Sequence, residues 1–157
     1  MPEKISIGSD HRGFKLKNML VHYLQQQGVT VDDVGVFSEE AVDYPGIAGI
    51  VAHKVSCREC DRGILICGSG IGMSITANKF PDVRAALCHD EHSAVMSRKH
   101  NDANVLVLSE SIDPDRARRI LELWRTTPFE GGRHQRRLDL IRAIEQENFK
   151  KDILPEP

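Results

Sequence analysis

Polar and apolar residues alternate in blocks along this chain, and the blocks predict strands separated by helices. Five short runs, at residues 4–8, 29–31, 63–67, 83–87 and 104–108, concentrate isoleucine, valine, leucine and alanine. The central run, from Gly63 to Cys67, is wholly apolar, which is typical of a strand buried on both faces of a parallel sheet. Longer segments between the runs carry apolar residues at helical spacing and predict helices.

Turn residues mark the ends of several predicted helices. Gly28 is expected to end the first helix, Pro45 to lie in the first turn of the second, and Asp113 to cap the fifth. Small residues at 74–79 predict a helix directly after the central strand, and the last helix is expected at 133–148. The apolar residues that share one side of a predicted helix are Phe14, Leu16, Leu20, Tyr23, Leu24; Ile47, Ile50, Val51, Val55; Ala117, Ile120, Leu121, Trp124, which form an inner face; and Leu138, Ile141 and Ile144.

These elements predict one α/β domain over residues 1–148, followed by a tail at 149–157. Strand–helix–strand order favours a three-layer, doubly wound, Rossmann-like fold with a five-stranded parallel sheet. The last helix has no strand after it, so we expect it to extend to a partner subunit.

Composition excludes several classes of function. The chain has 157 residues, a formal net charge of −2 and a pI near 6.4, so neither a nucleic-acid partner nor a membrane surface is expected. No apolar stretch approaches the ~20 residues of a membrane span. The first residues also lack the pattern of a signal peptide, and we expect a cytoplasmic location.

The cysteine spacing resembles that of a metal site, but the sequence does not supply a full set of ligands. Cys57 and Cys60 have zinc-type spacing, yet no second pair supplies four ligands. The side chains between Cys88 and His92 are expected to diverge, because they are neighbours on one loop and helix start. We therefore predict reduced thiols, no metal and no cofactor.

A glycine-rich turn, Gly68-Ser69-Gly70-Ile71-Gly72, follows the central strand directly. Strand, glycine turn and helix start together form an anion-binding arrangement, and Cys67 ends the strand where open α/β sheets place reacting groups. The turn could equally be a plain connection with a buried cysteine. It lacks the Lys-Ser/Thr ending of a nucleotide-binding loop.

Other polar groups lie at strand and helix ends. Asp10 and His11 follow the first strand, where they could face a ligand or, for Asp10, cap a helix. Tyr44 could cover a bound sugar or only a helix end. Arg133 and Arg137 share one face of a first helical turn, where cations oppose the helix dipole unless an anion is bound; a solvated basic face is the alternative.

These groups together suit an aldose–ketose isomerase acting on a sugar phosphate. Arg133, Arg137 and His11 could hold the phosphate. The Cys67 thiolate could move a proton between C1 and C2 while the turn amides stabilise an enediolate. His100 or His11 could open a cyclic substrate.

Six motifs in fixed order cover essentially residues 3–148. They are Gly8-Ser9-Asp10-His11, Asp43-Tyr44-Pro45, the Ile66–Gly72 segment, Ala77-Asn78-Lys79, the Ser97–Asn104 segment and Glu130-Gly131-Gly132-Arg133-His134-Gln135. Together they resemble the ribose-5-phosphate isomerase type B family. The glutamate-base branch of that family differs at position 73, which is methionine here, so the chain resembles the cysteine branch; Ser69 replaces a common threonine and keeps the hydroxyl.

The resemblance implies metal-free interconversion of ribose 5-phosphate and ribulose 5-phosphate in the pentose phosphate pathway. It also implies a homodimer or homotetramer whose sites are shared between subunits. The implied roles are proton transfer by Cys67 with Ser69; ring opening by His100 with Asp10; phosphate binding by His11, Arg133 and Arg137, with Tyr44 and His134 nearby; and enediolate stabilisation by Gly68, Gly70, Ile71, Gly72, Ser74 and Asn101.

Two alternatives stay open from the sequence. The substrate could be allose 6-phosphate, galactose 6-phosphate or a tetrulose phosphate, since the family includes such isomerases. A non-catalytic nucleotide- or phosphate-binding module would need an acidic ribose-binding residue after the turn or a GxGxxG motif, and the sequence offers neither.

Overall fold

The computed structural model describes residues 2–149 and contains strands and helices in the predicted alternation. The strands are β1 (Lys4–Ser9), β2 (Thr30–Asp33), β3 (Arg62–Cys67), β4 (Ala85–Leu87) and β5 (Val105–Ser109). The helices are α1 (Phe14–Gln26), α2 (Tyr44–Ser56), α3 (Ile71–Ala77), α4 (Glu91–Asn101), α5 (Pro114–Thr126) and α6 (Arg133–Phe149). Across the described residues, no helix is both long enough and apolar enough to span a membrane.

All five strands pair in parallel in one sheet, in the order β2-β1-β3-β5-β4. The chain winds outward from β1 to β2, then returns to place β3 on the other side of β1. The carboxyl ends of β1 and β3 therefore flank a topological switch point, where open α/β sheets bind ligands. The predicted doubly wound fold is confirmed.

Two apolar cores cover the two faces of the sheet. One core packs α1, α4 and α5 against alternate strand residues such as Ile64 and Ile66. The other packs α2 and α3 against the intervening residues, including Leu65 and Cys67. Because successive side chains in a strand point to opposite faces, Cys67 lies on the α2–α3 side.

Three details of the prediction need correction or qualification. α3 begins at Ile71, three residues before the predicted start, because Gly70 adopts a left-handed conformation (φ +81°) that ends the turn. Ile50 is 45% exposed, because Ala48 and Ala52 shift the buried stripe of α2 away from it. Phe149 belongs to α6, and residues 150–157 of the predicted tail lie outside the described residues.

Candidate active site

The glycine turn after β3 folds back on the thiol that precedes it. Cys67 is only 4% exposed, and its Sγ accepts a hydrogen bond from the Gly70 amide at 3.2 Å. The Ile71 amide donates to Ser69 Oγ at 3.2 Å, and the Ser74 amide makes a helical bond to the Gly70 carbonyl. The side chains of Cys67 and Ser69 thus hold the Gly70 and Ile71 amides in fixed orientations within the turn.

Tyr44 covers this turn from the start of α2. A Cβ atom at Gly72 would overlap the Tyr44 ring, so glycine is required for this close approach. The Tyr44 side chain stays 39% exposed. The ring therefore packs on the start of α3.

The segment after β1 lies beside the turn and is tightly bonded. Asp10 is buried, and its Oδ1 accepts hydrogen bonds from the Arg12 and Gly13 amides, each at 3.0 Å. The Asp10 amide donates to the carbonyl of Ile66, one residue before Cys67. His11 Nδ1 accepts a hydrogen bond from the Val42 amide at 3.2 Å.

Arg12 forms a bridge over the turn that the sequence did not suggest. Its Nε and Nη2 donate to Glu110 Oε1 at 3.0 and 2.6 Å, and a Cβ at Gly68 would lie 3.1 Å from its Nη1. Glu110 follows β5, and its amide donates to the Cys67 carbonyl. The rule that points to groups at the carboxyl ends of strands could have identified Glu110.

A second polar cluster forms where α4 ends and α6 begins. The rings of His100 and His134 stack with their centroids 4.2 Å apart and their planes 8° apart. Glu130 Oε2 lies 3.7 Å from His134 Nε2 and 4.0 Å from His100 Nε2. The donor atoms of these three residues lie within 4.8 Å of one another and could also hold a metal ion. Glu130 lies in a predicted motif, but the sequence pattern indicated no role for its carboxylate.

Charge and burial both affect the pKa of His134 in this cluster. Burial lowers the pKa of His134, and the neighbouring His100, Arg133 and Arg137 lower it further, while Glu130 opposes them. Arg133 Nε also donates towards His134 Nε2 at 3.4 Å. The predicted phosphate-binding arginines therefore lie beside an imidazole whose pKa is lowered, with Asn101 at the end of the adjacent helix.

The two groups of predicted site residues lie at opposite ends of the strands, one at the carboxyl edge of the sheet and the other at the amino edge. Cys67 pairs in register with Ser109 at the carboxyl end of β5. His100 and Asn101 end α4 just before β5 begins at Val105. The four residue steps from Val105 to Ser109 span about 13 Å. One chain thus brings together Asp10, His11, Tyr44 and the thiol turn, but not the cluster of His100, Asn101, Arg133, His134 and Arg137.

Comparison with known proteins identifies the family. Residues 5–141 match the family model described as Ribose/Galactose Isomerase. The chain belongs to this family. It is 48% identical to "Ribose-5-phosphate isomerase B" of Escherichia coli over 145 residues, covering 92% of this chain and 97% of that protein.

Solved structures of the same kind superimpose closely on the fold. Clostridium thermocellum ribose-5-phosphate isomerase B matches with a TM-score of 0.91 and 46% identity, over 92% of this chain and 99% of that one. Trypanosoma brucei type B ribose 5-phosphate isomerase matches with a TM-score of 0.88 and 47% identity, again over 92% and 99%.

Proposed function

We propose that this protein is an aldose–ketose isomerase that interconverts D-ribose 5-phosphate and D-ribulose 5-phosphate through a cis-enediolate. One observation carries the proposal: the Cys67 thiol ends β3 inside a glycine turn and accepts the Gly70 amide hydrogen. Family membership and the identity to the E. coli enzyme support the same reaction.

Cys67 is the proposed base. Its thiolate takes the C2 proton of the open-chain aldose, and the released electron pair forms the C1–C2 double bond of the enediolate. The thiol then returns the proton to C1, while the hydroxyl proton moves from O2 to O1 and leaves a ketone at C2. Ser69 assists this transfer from the same turn.

The turn and Asn101 are proposed to stabilise the enediolate. Amide hydrogens aimed at a developing oxyanion lower the barrier most when they are held in place before the reaction. The amides of Gly70 and Ile71 are already oriented by Cys67 and Ser69, so the substrate oxygens share a preformed set of donors. The remaining proposed members are Gly68, Gly72 and Ser74.

Phosphate binding and ring opening need both polar clusters. We propose His11, Arg133 and Arg137 as phosphate ligands, with Tyr44 and His134 at their sides. His100 with Asp10 would open the sugar ring. Asp10, His11 and Tyr44 lie at the carboxyl ends of the strands, whereas His100, Arg133, His134 and Arg137 lie towards the amino ends. Each site therefore takes one cluster from each of two subunits.

Exposed apolar side chains support a homodimer or homotetramer. Leu140, Ile141, Ile144 and Phe149 of α6 are between 48% and 61% exposed, and α6 contributes to neither core. Ile71 and Ile75, beside the thiol turn, are 55% and 59% exposed. Burying such a surface against a second copy would remove apolar area from water and bring α6 towards the turn.

We also propose a cytoplasmic location and a role in the pentose phosphate pathway. All four cysteines are free thiols, which suits a reducing compartment. The two proposed sugars are pentose phosphates, as that pathway requires. Cell fractionation followed by activity measurement in each fraction tests the location.

The experiment that tests the function measures turnover of ribose 5-phosphate beside allose 6-phosphate, in the wild type and in Cys67→Ala. We expect a strong preference for the pentose and a loss of at least about 10³-fold in kcat when the thiol is removed. Preference for the hexose would keep the mechanism but change the substrate. Turnover of neither sugar would contradict the isomerase proposal.

A further inference from the structure

A cluster of three donor side chains lies at the end of α2, outside the proposed active site. His53, Cys57 and Glu59 are exposed, and one ligand atom of each lies within 4.8 Å of the others. Cys57 Sγ lies 3.4 Å from His53 Nε2 and 3.7 Å from its Nδ1. Imidazole, thiolate and carboxylate together are a donor set for borderline transition metals.

The backbone after α2 is folded so that Glu59 returns to the helix. The Arg58 amide donates to the Val55 carbonyl, and the Glu59 amide donates to the Lys54 carbonyl. This is a Schellman turn, and its left-handed position is occupied by Arg58 at φ +62° instead of the usual glycine. This left-handed conformation is unfavourable for an L-residue. The turn that contains it folds the Glu59 carboxylate back beside His53 and Cys57.

The spacing of the sulfur and nitrogen atoms fits tetrahedral zinc. Zn–S and Zn–N bonds of about 2.3 and 2.0–2.1 Å, at a tetrahedral angle, place sulfur and nitrogen about 3.6 Å apart. The observed distance from Cys57 Sγ to His53 Nε2, 3.4 Å, is close to that value. The 3.7 Å distance to Nδ1 of the same ring places the sulfur over the ring face, so the exposed imidazole has to rotate before Nε2 points to an ion shared with the sulfur. The helical spacing of four residues puts both side chains on one face, as in other helical zinc sites.

We propose that His53, Cys57 and Glu59 bind one zinc-class divalent ion, with water as the fourth ligand. Binding replaces the thiol proton of Cys57 by the metal and releases that proton to solvent, so affinity rises with pH. Cys60, the other member of the CxxC motif, is not a ligand: it is buried, and its sulfur points to Asp32 Oδ2 at 3.8 Å.

This ion would lie far from the reacting thiol. Helix α2 runs from Tyr44, over the glycine turn, to Ser56, a length of about 20 Å at 1.5 Å per residue. Cys57 therefore lies at the opposite edge of the sheet from Cys67. The two thiols can be distinguished by single substitutions.

Cobalt titration of the full-length protein tests the proposal. Co²⁺ takes the same tetrahedral ligands as zinc, and a thiolate ligand gives it a characteristic charge-transfer absorption that Zn²⁺ abolishes by displacement. We expect one equivalent per chain in the wild type, in Cys67→Ser and in Cys60→Ala. In Cys57→Ser the band should disappear, and in His53→Gln the affinity should fall by more than about tenfold.

The controls separate this site from the other donor groups. The cluster of His100, Glu130 and His134 contains no thiol, so ions bound there give no thiolate band. A band that survives in Cys57→Ser, or is lost in Cys67→Ser, would overturn the proposal. So would the absence of any thiolate band in the wild type.

Discussion

At the scale of single residues, the thiol turn depends on glycines that no other residue can replace without movement. Gly70 adopts φ +81°, and its amide holds Cys67 Sγ. Gly72 leaves room for the Tyr44 ring to lie against the turn. The positions of the Cys67 thiol and of the Tyr44 ring that covers the turn are therefore linked through the backbone.

Gly72→Ala should displace Tyr44 and reduce activity more than stability. Because small displacements of positioning groups are costly in catalysis, we expect kcat/KM for ribose 5-phosphate to fall by at least about tenfold. Gly49→Ala is the matched control. Its Cβ would make only an ordinary 3.7 Å contact with Phe80. The substitution should raise the free energy of unfolding by about 0.5–1 kcal/mol, because alanine favours the helix more than glycine does. Equal activity in the two variants would contradict the role of Tyr44.

The buried imidazole of His134 should make stability depend on pH. Its pKa is lowered, chiefly by burial. As the pH falls below about 6.5, the unfolded chain therefore takes up a proton that the folded chain resists, and the free energy of unfolding decreases. Urea unfolding between about pH 7 and 5 should show this decrease, and His134→Gln should reduce it. The exposed His22→Gln is the control; an unchanged pH slope in His134→Gln would contradict the assignment.

The positions of some of these residues were predictable from sequence, whereas their contact partners were not. Cys67 and the glycines were predictable because a buried strand, a turn and a helix start follow one another in the chain. The stacking of His100 on His134 and the Arg12–Glu110 bridge join residues distant in sequence. Such contacts depend on how the helices pack against the sheet in three dimensions, and local sequence patterns do not predict that packing.

At the scale of elements, contacts within one chain do not explain the basic start and the exposed apolar side chains of α6. Its first turn carries Arg133 and further basic residues, and its later turns expose apolar side chains. A basic helix start is unfavourable without an anion, and an apolar face is unfavourable in water. A bound phosphate and a partner subunit would satisfy both ends of this helix.

Ile144→Glu should weaken subunit association. A buried carboxylate without a partner is strongly unfavourable in an apolar interface, so we expect the dissociation constant to rise by at least about tenfold and activity to fall with it. Ile50→Glu, on a similarly exposed isoleucine of α2, is the control. Analytical ultracentrifugation measures the effect. Association as tight as in the wild type would exclude Ile144 from the interface.

The order and type of the elements were predictable, whereas some boundaries and faces were not. The strands were identified because apolar runs are bounded by turn residues. α3 was placed too late because a helix that begins with Ile71 and Gly72 resembles a continuing glycine turn in sequence. The face of α2 was misjudged at Ile50 because alanines, which carry little weight in a hydrophobic pattern, form much of the buried stripe.

At the scale of the whole molecule, the parallel sheet separates the two halves of the proposed site. All strands point the same way, so Cys67 lies at the edge where strands end, while α4 ends at the edge where β5 begins. A two-fold symmetric dimer can bring the carboxyl edge of each chain to the amino edge of the other, and the symmetry then forms two equal sites.

A heterodimer of Cys67→Ala and Arg137→Ala tests this central claim most directly. The two chains are coexpressed with different tags and isolated as the mixed species, beside both homodimers. One shared site would then carry both substitutions and the other neither. The control heterodimer, of Cys67→Ala with Ser69→Ala, has a substitution in each site and should be no more active than the Ser69→Ala homodimer.

We predict that the Cys67→Ala/Arg137→Ala heterodimer regains about half of the wild-type turnover of ribose 5-phosphate, since one of two symmetric sites is intact, while both homodimers remain impaired. A heterodimer no more active than the homodimers would contradict a site shared between subunits.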